Sequence, residues 1–450
     1  MKKYDGYKDS GIEWIGEIPE HWKIQRLKYA FDLGTGLSIT KENLIEKGVP
    51  CVNYGEIHSK YGFEVDINKH NLKCVDVNYL NTSKKALMNQ GEFIFADTSE
   101  DIEGSGNFTH IKSNGDIFAG YHTITARPIK KSNSLYFAFL FDSIDFRTQI
   151  RNSVKGIKVF SITQGILKDT CIWHPPFEEQ TAIANYLDHK TTQIDTLIAK
   201  KQQFIILLQE ERTAVINQAV TKGLDPKVKM KDSGIEWLGE IPEHWTSYRI
   251  DWVTNIVRGN TGFKKDELLK NGEYVALQYG KTYKVDIVDD SFNFFVNSEF
   301  FKENQVVSKG DTILISTSET VEDLGHTCFY NNGNIGLLGG EQILLKPNRK
   351  VLHEKYLYQY TRQFGLELKK YAKGLKVFRF NTTDLKQIFI AIPSIEEQIQ
   401  IADFLDRETI RLDSLISKSK QEIGLLKEYK TALISEVVTG KIDVRDVVLN

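Results

Sequence analysis

KDSGIEWIGEIPEHW at residues 8–22 and KDSGIEWLGEIPEHW at residues 231–245 agree at 14 of 15 positions, at an offset of 223. Identity at that density does not arise by chance, and an internal repeat decides the architecture on which every other motif must be placed. Working outward, KGIKVF at 155–160 matches KGLKVF at 373–378, and EEQ at 178–180 matches EEQ at 396–398, both at an offset of 218. Between these anchors only islands persist, such as Thr98, Ser99 and Glu100 against Thr317, Ser318 and Glu319, and Tyr54 and Gly55 against Tyr279 and Gly280. The chain is therefore two copies of one unit, with a shared frame and divergent filling.

Each unit has two parts of different periodicity. The first holds short β-rich segments bounded by Gly, Asn and Asp: Cys51 to Ile57, Glu92 to Thr98 and Thr123 to Ile129, then Tyr274 to Tyr279, Asp311 to Thr317 and Gln342 to Pro347. These segments predict mixed α/β domains over residues 1–177 and 223–395. The second part, 178–222 and 396–440, carries apolar residues at helical spacing and predicts one long helix per unit. Prolines 175 and 176 before Glu178 and Glu179, and Ser394 with Glu397 at capping-box spacing, mark the helix starts; Gly223 and Gly440 mark the ends. Ile183, Leu187, Ile194, Leu197, Phe204, Leu208 and Val215 fall three and four apart, as do Ile401, Leu405, Leu412, Leu415, Leu426, Tyr429 and Leu433. Either a coiled-coil seam or a plain packed helical hairpin satisfies this pattern, with the second helix antiparallel to the first and residues 441–450 as a tail. At about 1.5 Å per residue each helix would extend roughly 66 Å. Two related domains held apart with approximate two-fold symmetry suit duplex DNA.

Composition narrows the class. The chain has 450 residues, 41% hydrophobic and 26% charged, with a formal charge of −2. Residues 1–177 carry 22 Lys or Arg against 21 Asp or Glu, so any basic face must come from uneven distribution. The start MKKYDGYKDS lacks an apolar signal core, and apolar runs such as Leu135 to Phe141 are too short for a bilayer, which predicts a cytoplasmic protein. Cys51, Cys74, Cys171 and Cys328 form no CxxC pair, and the ten histidines show no ligand spacing, so no metal is expected.

The duplicated W-[IL]-GEIPEHW entry, the KG-[IL]-KVF exit and the P-x-x-EEQ-x-x-I-A helix start together resemble the specificity subunits of type I restriction-modification enzymes, over essentially the whole chain. The resemblance implies an α+β fold in which two target recognition domains alternate with two long antiparallel helices. It further implies that each domain reads one half of a split DNA site. The helices would space the domains and dock two methyltransferase subunits, with restriction subunits joining the complex. It implies no catalytic residue in this chain, with S-adenosylmethionine bound by the partner methyltransferase subunits.

The residues agree with a non-catalytic reading. His174, Pro175, Pro176 and Phe177 imitate an adenine methyltransferase acceptor motif, but histidine replaces the required Asn or Asp, and Pro-Pro followed by Glu-Glu is better read as a helix entry. Gly280, Lys281 and Thr282 imitate the end of a phosphate-binding loop whose first glycine is Val275 here. No HExxH or GxSxG occurs.

For DNA contact, cations grip phosphate while planar polar groups read base edges. Lys155 and Lys158 recur as Lys373 and Lys376, the latter followed by Arg379. Repetition points to shared phosphate contacts or a structural loop, since two domains reading different half-sites should differ where they touch bases. Arg258, Asn260 and Lys264, in a glycine-containing stretch matching the region of Gly34 to Gly36, are further candidates, as are Tyr54 and Tyr279 at the ends of predicted strands. Trp14, Trp22, Trp237 and Trp245 are assigned to packing, and the charged groups Glu210, Glu211, Arg212, Lys427, Glu428 and Lys430 to solvated helix faces. Because the copies differ, the expected site is bipartite and asymmetric. Two other classes fit less of the chain: a duplicated protein- or glycan-binding scaffold, and a self-sufficient methyltransferase or endonuclease.

Overall fold

Trp22 and Trp245, the last residues of the duplicated entry motif, are fully buried in the computed structural model, which describes residues 2–156, 158–321, 324–374 and 376–449. Trp22 Nε1 donates to Glu179 Oε1 at 3.0 Å and Trp245 Nε1 to Glu397 Oε1 at 3.1 Å. The preceding histidines, His21 and His244, reach the other oxygen of the same carboxylates at 2.7 and 2.9 Å. The entry motif and the EEQ motif thus close on one another. Gln180 and Gln398 complete the lock: their carbonyl oxygens accept from the backbone N–H of Asn133 and His353, and their amides donate to Pro175 O and Pro393 O. Repetition of these residues is explained by a buried polar network that every copy must satisfy.

The chain divides into two compact units, residues 1–201 with 421–450, and residues 202–420. In the first, a five-stranded sheet runs in the order Phe31–Thr35, Thr123–Pro128, Phe93–Ala96, Phe108–Ile111, Phe63–Val65, antiparallel except for the last pair. A four-stranded sheet orders Cys74–Val75, Val49–Val52, Ile117–Ala119 and Leu87–Met88. The second unit repeats both orders with Thr254–Arg258, Gln342–Pro347, Thr312–Ile315, Thr327–Tyr330 and Ile287–Val288, then Phe295–Val296, Tyr274–Leu277, Gly336–Leu338 and Val306–Val307. Entry and exit strands pair in each unit, Lys23–Arg26 with Cys171–His174 and Thr246–Arg249 with Phe389–Ile392, so each domain begins and ends at one place.

The long helices are Phe177–Lys222 and Ile395–Val438. His174, Pro175 and Pro176 end the exit strand and lead directly into the first. Glu397 N–H donates to Ser394 Oγ at 3.2 Å, but the Glu397 carboxylate serves Trp245 and His244, so only half of the expected capping box is made. Within the first unit, Asp195 pairs with Lys430 at 2.7 Å and Lys201 with Glu422; within the second, Glu211 pairs with Arg411 at 3.1 Å and Arg212 with Asp413 at 3.0 Å. The numbers of the partners fall as those of the first helix rise within the first unit, which makes the two helices antiparallel there. Arg212 and Lys430 are accordingly engaged across the helices, where the charge pattern had predicted solvated faces.

Ile183, Leu187, Ile194, Leu208, Leu405, Leu412 and Leu433 are buried, and Leu415 and Leu426 half-buried. Leu197, Phe204 and Tyr429 are exposed, contrary to the predicted seam, and Ile198 is buried beside Ile194 in place of Leu197. A strict heptad drifts about 20° per repeat on a straight helix, so positions chosen by heptad spacing rotate out of the contact and their neighbours rotate in.

Each helix end is received by the α/β domain of its own unit. Trp173 Nε1 donates to Val438 O at 2.7 Å in the first unit; in the second, Tyr356 Oη lies 2.7 Å from Ala391 O and 3.2 Å from Val220 O. The Val438 carbonyl, left without an intrahelical partner at the helix C-terminus, is thereby satisfied.

Candidate nucleic-acid interface

At one edge of each five-stranded sheet, three strands end or begin together. In the second unit Thr254–Arg258 ends beside the start of Gln342–Pro347, with Arg258 opposite Ile343, and Thr312–Ile315 runs on into Thr317–Ser318. Thr317 and Ser318 pair with Arg379 and Phe378, the far arm of the hairpin that begins at Lys373. Arg258, Asn260, Lys373 and Arg379 are thus carried to the same sheet edge by different segments, although 115 residues separate Arg258 from Lys373. Asn260 N–H donates to Gln305 Oε1 at 2.9 Å, and its side-chain oxygen accepts from Lys302 Nζ at 3.1 Å, which adds a cation that sequence reading missed. Lys264 is exposed further along the same loop, where its backbone N–H donates to Glu267 Oε2 at 2.7 Å.

The first unit builds the same edge from Thr35, Asp97, Thr98 and the Phe160–Ser161 strand, which pairs with Thr98–Ser99. The exit hairpin explains its own glycine: a Cβ at Gly156 would lie 2.1 Å from Val159 O and one at Gly374 1.9 Å from Val377 O. Backbone approaches backbone there, which only glycine permits. Lys155, Lys158, Lys373 and Lys376 project from these hairpins as exposed side chains without an ion pair among the described residues. Ile157 and Leu375, the variable residues of the motif, lie outside the described residues.

Tyr54 and Tyr279 do not end strands. Each opens a short helix, Tyr54–Ser59 and Tyr279–Thr282, because the preceding Asn53 or Gln278 supplies the extended N-cap residue that stops the strand. Both rings are half-buried at the edge, and Tyr54 lies 5.8 Å from Tyr121 and 5.3 Å from His122. Partial burial raises the Tyr121 hydroxyl pKa, with Tyr54 and Glu56 adding to the shift. Tyr54, Tyr121 and His122 form an aromatic cluster at the rim.

Two residues at this edge gave no sequence signal. His122 and Glu341 directly precede the matching strands Thr123–Pro128 and Gln342–Pro347, and both have positive φ, 54° and 62°. Glycine or asparagine is the usual marker of that conformation, and neither residue type is present to announce it.

The edge offers hydrogen-bond donors, acceptors and cations. Burial pushes the Cys51 and Cys328 thiols up, away from the thiolate form that nucleophilic attack requires. Among the described residues no cluster of His, Cys, Asp and Glu could hold a metal ion, and no helix is long and apolar enough to cross a membrane.

Known proteins share this architecture. The family model for the type I restriction modification DNA specificity domain matches twice, over residues 19–205 and 242–425. The MjaVIII specificity subunit of a type I restriction enzyme from Methanocaldococcus jannaschii is 25% identical over 351 residues, covering 74% of this chain and 77% of that protein. Among solved structures, a chain described for complex assembly and conformational transition of the type I R-M system aligns with a TM-score of 0.71 at 16% identity, over 94% of this chain and 99% of that one. The HsdS subunit from Thermoanaerobacter tengcongensis aligns with a TM-score of 0.54 at 16% identity, over 94% of this chain and 98% of the subunit. With both of its halves matched by the same family model, the chain belongs to the type I restriction-modification specificity subunits and carries two target recognition domains.

Proposed function

We propose that the two recognition domains each bind one half of a bipartite, asymmetric DNA site, and that the long helices set the nonspecific spacer and dock two methyltransferase subunits. The single observation that carries this reading is the contrast within the repeat. Strand order and the Trp–Glu lock are common to both units, whereas the groups at the sheet edge differ, with Ser161 and Asp97 in one against Arg379 and Ser316 in the other. Shared groups support the fold and the phosphate grip; unlike groups read unlike half-sites. Lys155, Lys158, Lys373 and Lys376 are assigned to phosphate, and Arg258, Asn260, Lys264, Arg379, Tyr54 and Tyr279 to the reading edge.

The chain itself serves recognition, and methyl transfer belongs to its partners. S-adenosylmethionine is bound by the methyltransferase subunits, which flip an adenine in each half-site, and restriction subunits complete the assembly on double-stranded DNA. The protein works in the cytoplasm, where that DNA lies. Co-expression with a cognate methyltransferase followed by genome-wide mapping of methylated adenines tests the proposal. The expected result is one motif of two unlike halves around a fixed gap; methylation by this chain alone, or a continuous motif, contradicts it.

A further inference from the structure

The two recognition domains keep one costly backbone feature in common while changing the residue that bears it. Among the described residues only Phe63, His122 and Glu341 are non-glycine residues with positive φ. His122 and Glu341 stand 219 residues apart, the offset that relates the strands they precede. An L-residue side chain is strained in this region, and such strain persists where a site requires it. Glycine would relieve it at both positions, yet glycines stop just short, at Gly120 and Gly340. Both side chains point outward, His122 58% and Glu341 50% exposed, so the strain does not serve core packing.

The backbone around the two residues is the same. His122 O accepts from Asp97 N–H at 3.1 Å, and Glu341 O from Ser316 N–H at 3.1 Å, locking each residue to the end of the neighbouring strand. The side-chain chemistry is inverted. His122 Nδ1 lies 3.2 Å from the Asp97 carboxylate, which orients the imidazole and leaves Nε2 directed away from that carboxylate. Glu341 carries the carboxylate instead: it accepts from Thr317 Oγ1 and faces the Arg379 guanidinium, 3.7 Å from Nε, with Arg379 63% exposed. One unit presents an imidazole held by a carboxylate, and the other a guanidinium held by a carboxylate.

We infer that this left-handed position is a base-reading position in both domains, with Glu341 and Arg379 taking a G·C pair in one half-site and His122 taking a different base pair in the other. An arginine that faces a carboxylate on its Nε side presents its terminal nitrogens to guanine O6 and N7, and the carboxylate beside it accepts from cytosine N4. An oriented imidazole has a single free nitrogen and makes a narrower contact. The inference rests on the proposed half-site reading and adds which residues discriminate.

The experiment uses the complete complex with its methyltransferase, comparing wild type, His122→Gly and Glu341→Gly by methylation mapping and by thermal unfolding. Glycine is the residue this backbone favours, so folding stability is expected to hold or rise. Each variant is expected to lose roughly ten- to hundredfold discrimination at one base pair. The loss should fall in one half-site for His122→Gly and in the other for Glu341→Gly, with the Glu341 position being a G·C pair in the wild-type motif. Unchanged motifs in stable variants overturn the inference, as does a uniform loss of binding without a change of motif. A wild-type complex lacking a two-part motif overturns the half-site reading and this inference with it.

Discussion

Glu179 and Glu397 each hold a buried indole N–H and a histidine with one carboxylate, in the first turn of a long helix where negative charge is also favoured by the helix dipole. Replacing Glu179 with Ala leaves the Trp22 N–H unpaired in the core, so the expected cost is about 2–3 kcal/mol, read as a lower midpoint in chemical denaturation. Glu179→Gln keeps an acceptor and should recover part of it. A second residue-scale effect concerns acid. His110 is buried, and burial pushes its pKa down to about 4. Below its unfolded value near 6.5 the unfolded chain binds the proton and the native state does not, so the stabilisation is present in full above that pH and is lost as pH falls toward 4. The loss is on the order of 3 kcal/mol. Phe329 occupies the matching place in the second unit, opposite Ile287 as His110 is opposite Glu64. His110→Phe should therefore flatten the acid limb of the stability profile between pH 6.5 and 4; a profile as steep as wild type would place the effect elsewhere.

At the scale of elements, the helix ends give a graded test. Gly223 and Gly440 both close long helices with positive φ, 76° and 73°. An added Cβ at Gly223 would meet Trp245 at 3.3 Å, whereas at Gly440 it would lie 2.3 Å from Pro19 Cδ. Gly223→Ala should cost about 1–2 kcal/mol from the left-handed backbone alone, and Gly440→Ala an additional 1–3 kcal/mol of overpacking, measured side by side as unfolding free energies. These ends were legible in the sequence, because a helix longer than 40 residues bounded by Pro and Gly has strong periodic and capping signals. The strands were legible where β-rich segments are bounded by Gly, Asn or Asp, as at Thr123–Pro128 and Gln342–Pro347. At Cys51 to Ile57 the predicted strand runs past Asn53, whose cap turns the chain into a helix after Val52. Leu197, Phe204 and Tyr429 had the spacing of a seam but not its rotation. The candidate site was half legible. The exit-hairpin lysines declared themselves by duplication and Arg258 by charge, while Asp97, His122 and Glu341 are brought to the edge by strand pairing and Lys302 by its contact with Asn260, neither of which leaves a local mark.

Over the whole molecule, each recognition domain is carried by the opening turns of the long helix that follows it and the closing turns of the other, since the units comprise residues 1–201 with 421–450 and residues 202–420. The plan is the same for both, and it makes helix length the variable that the proposed spacer depends on. Shortening a single helix would put its ion pairs out of register with the other, so the informative variant removes four residues from each, 202–205 and 417–420, which border Lys201 and Glu422 and leave that pair in place. Four residues are close to one helical turn, so each face is rotated by only about 40° from where it was. The rise removed is roughly 6 Å, which corresponds to about two base pairs at 3.4 Å each. Methylation mapping of the variant complex should return the same two half-sites with a spacer about two base pairs shorter. Retained methylation at the original spacing would separate spacer length from helix length and leave the helices with docking as their remaining proposed role.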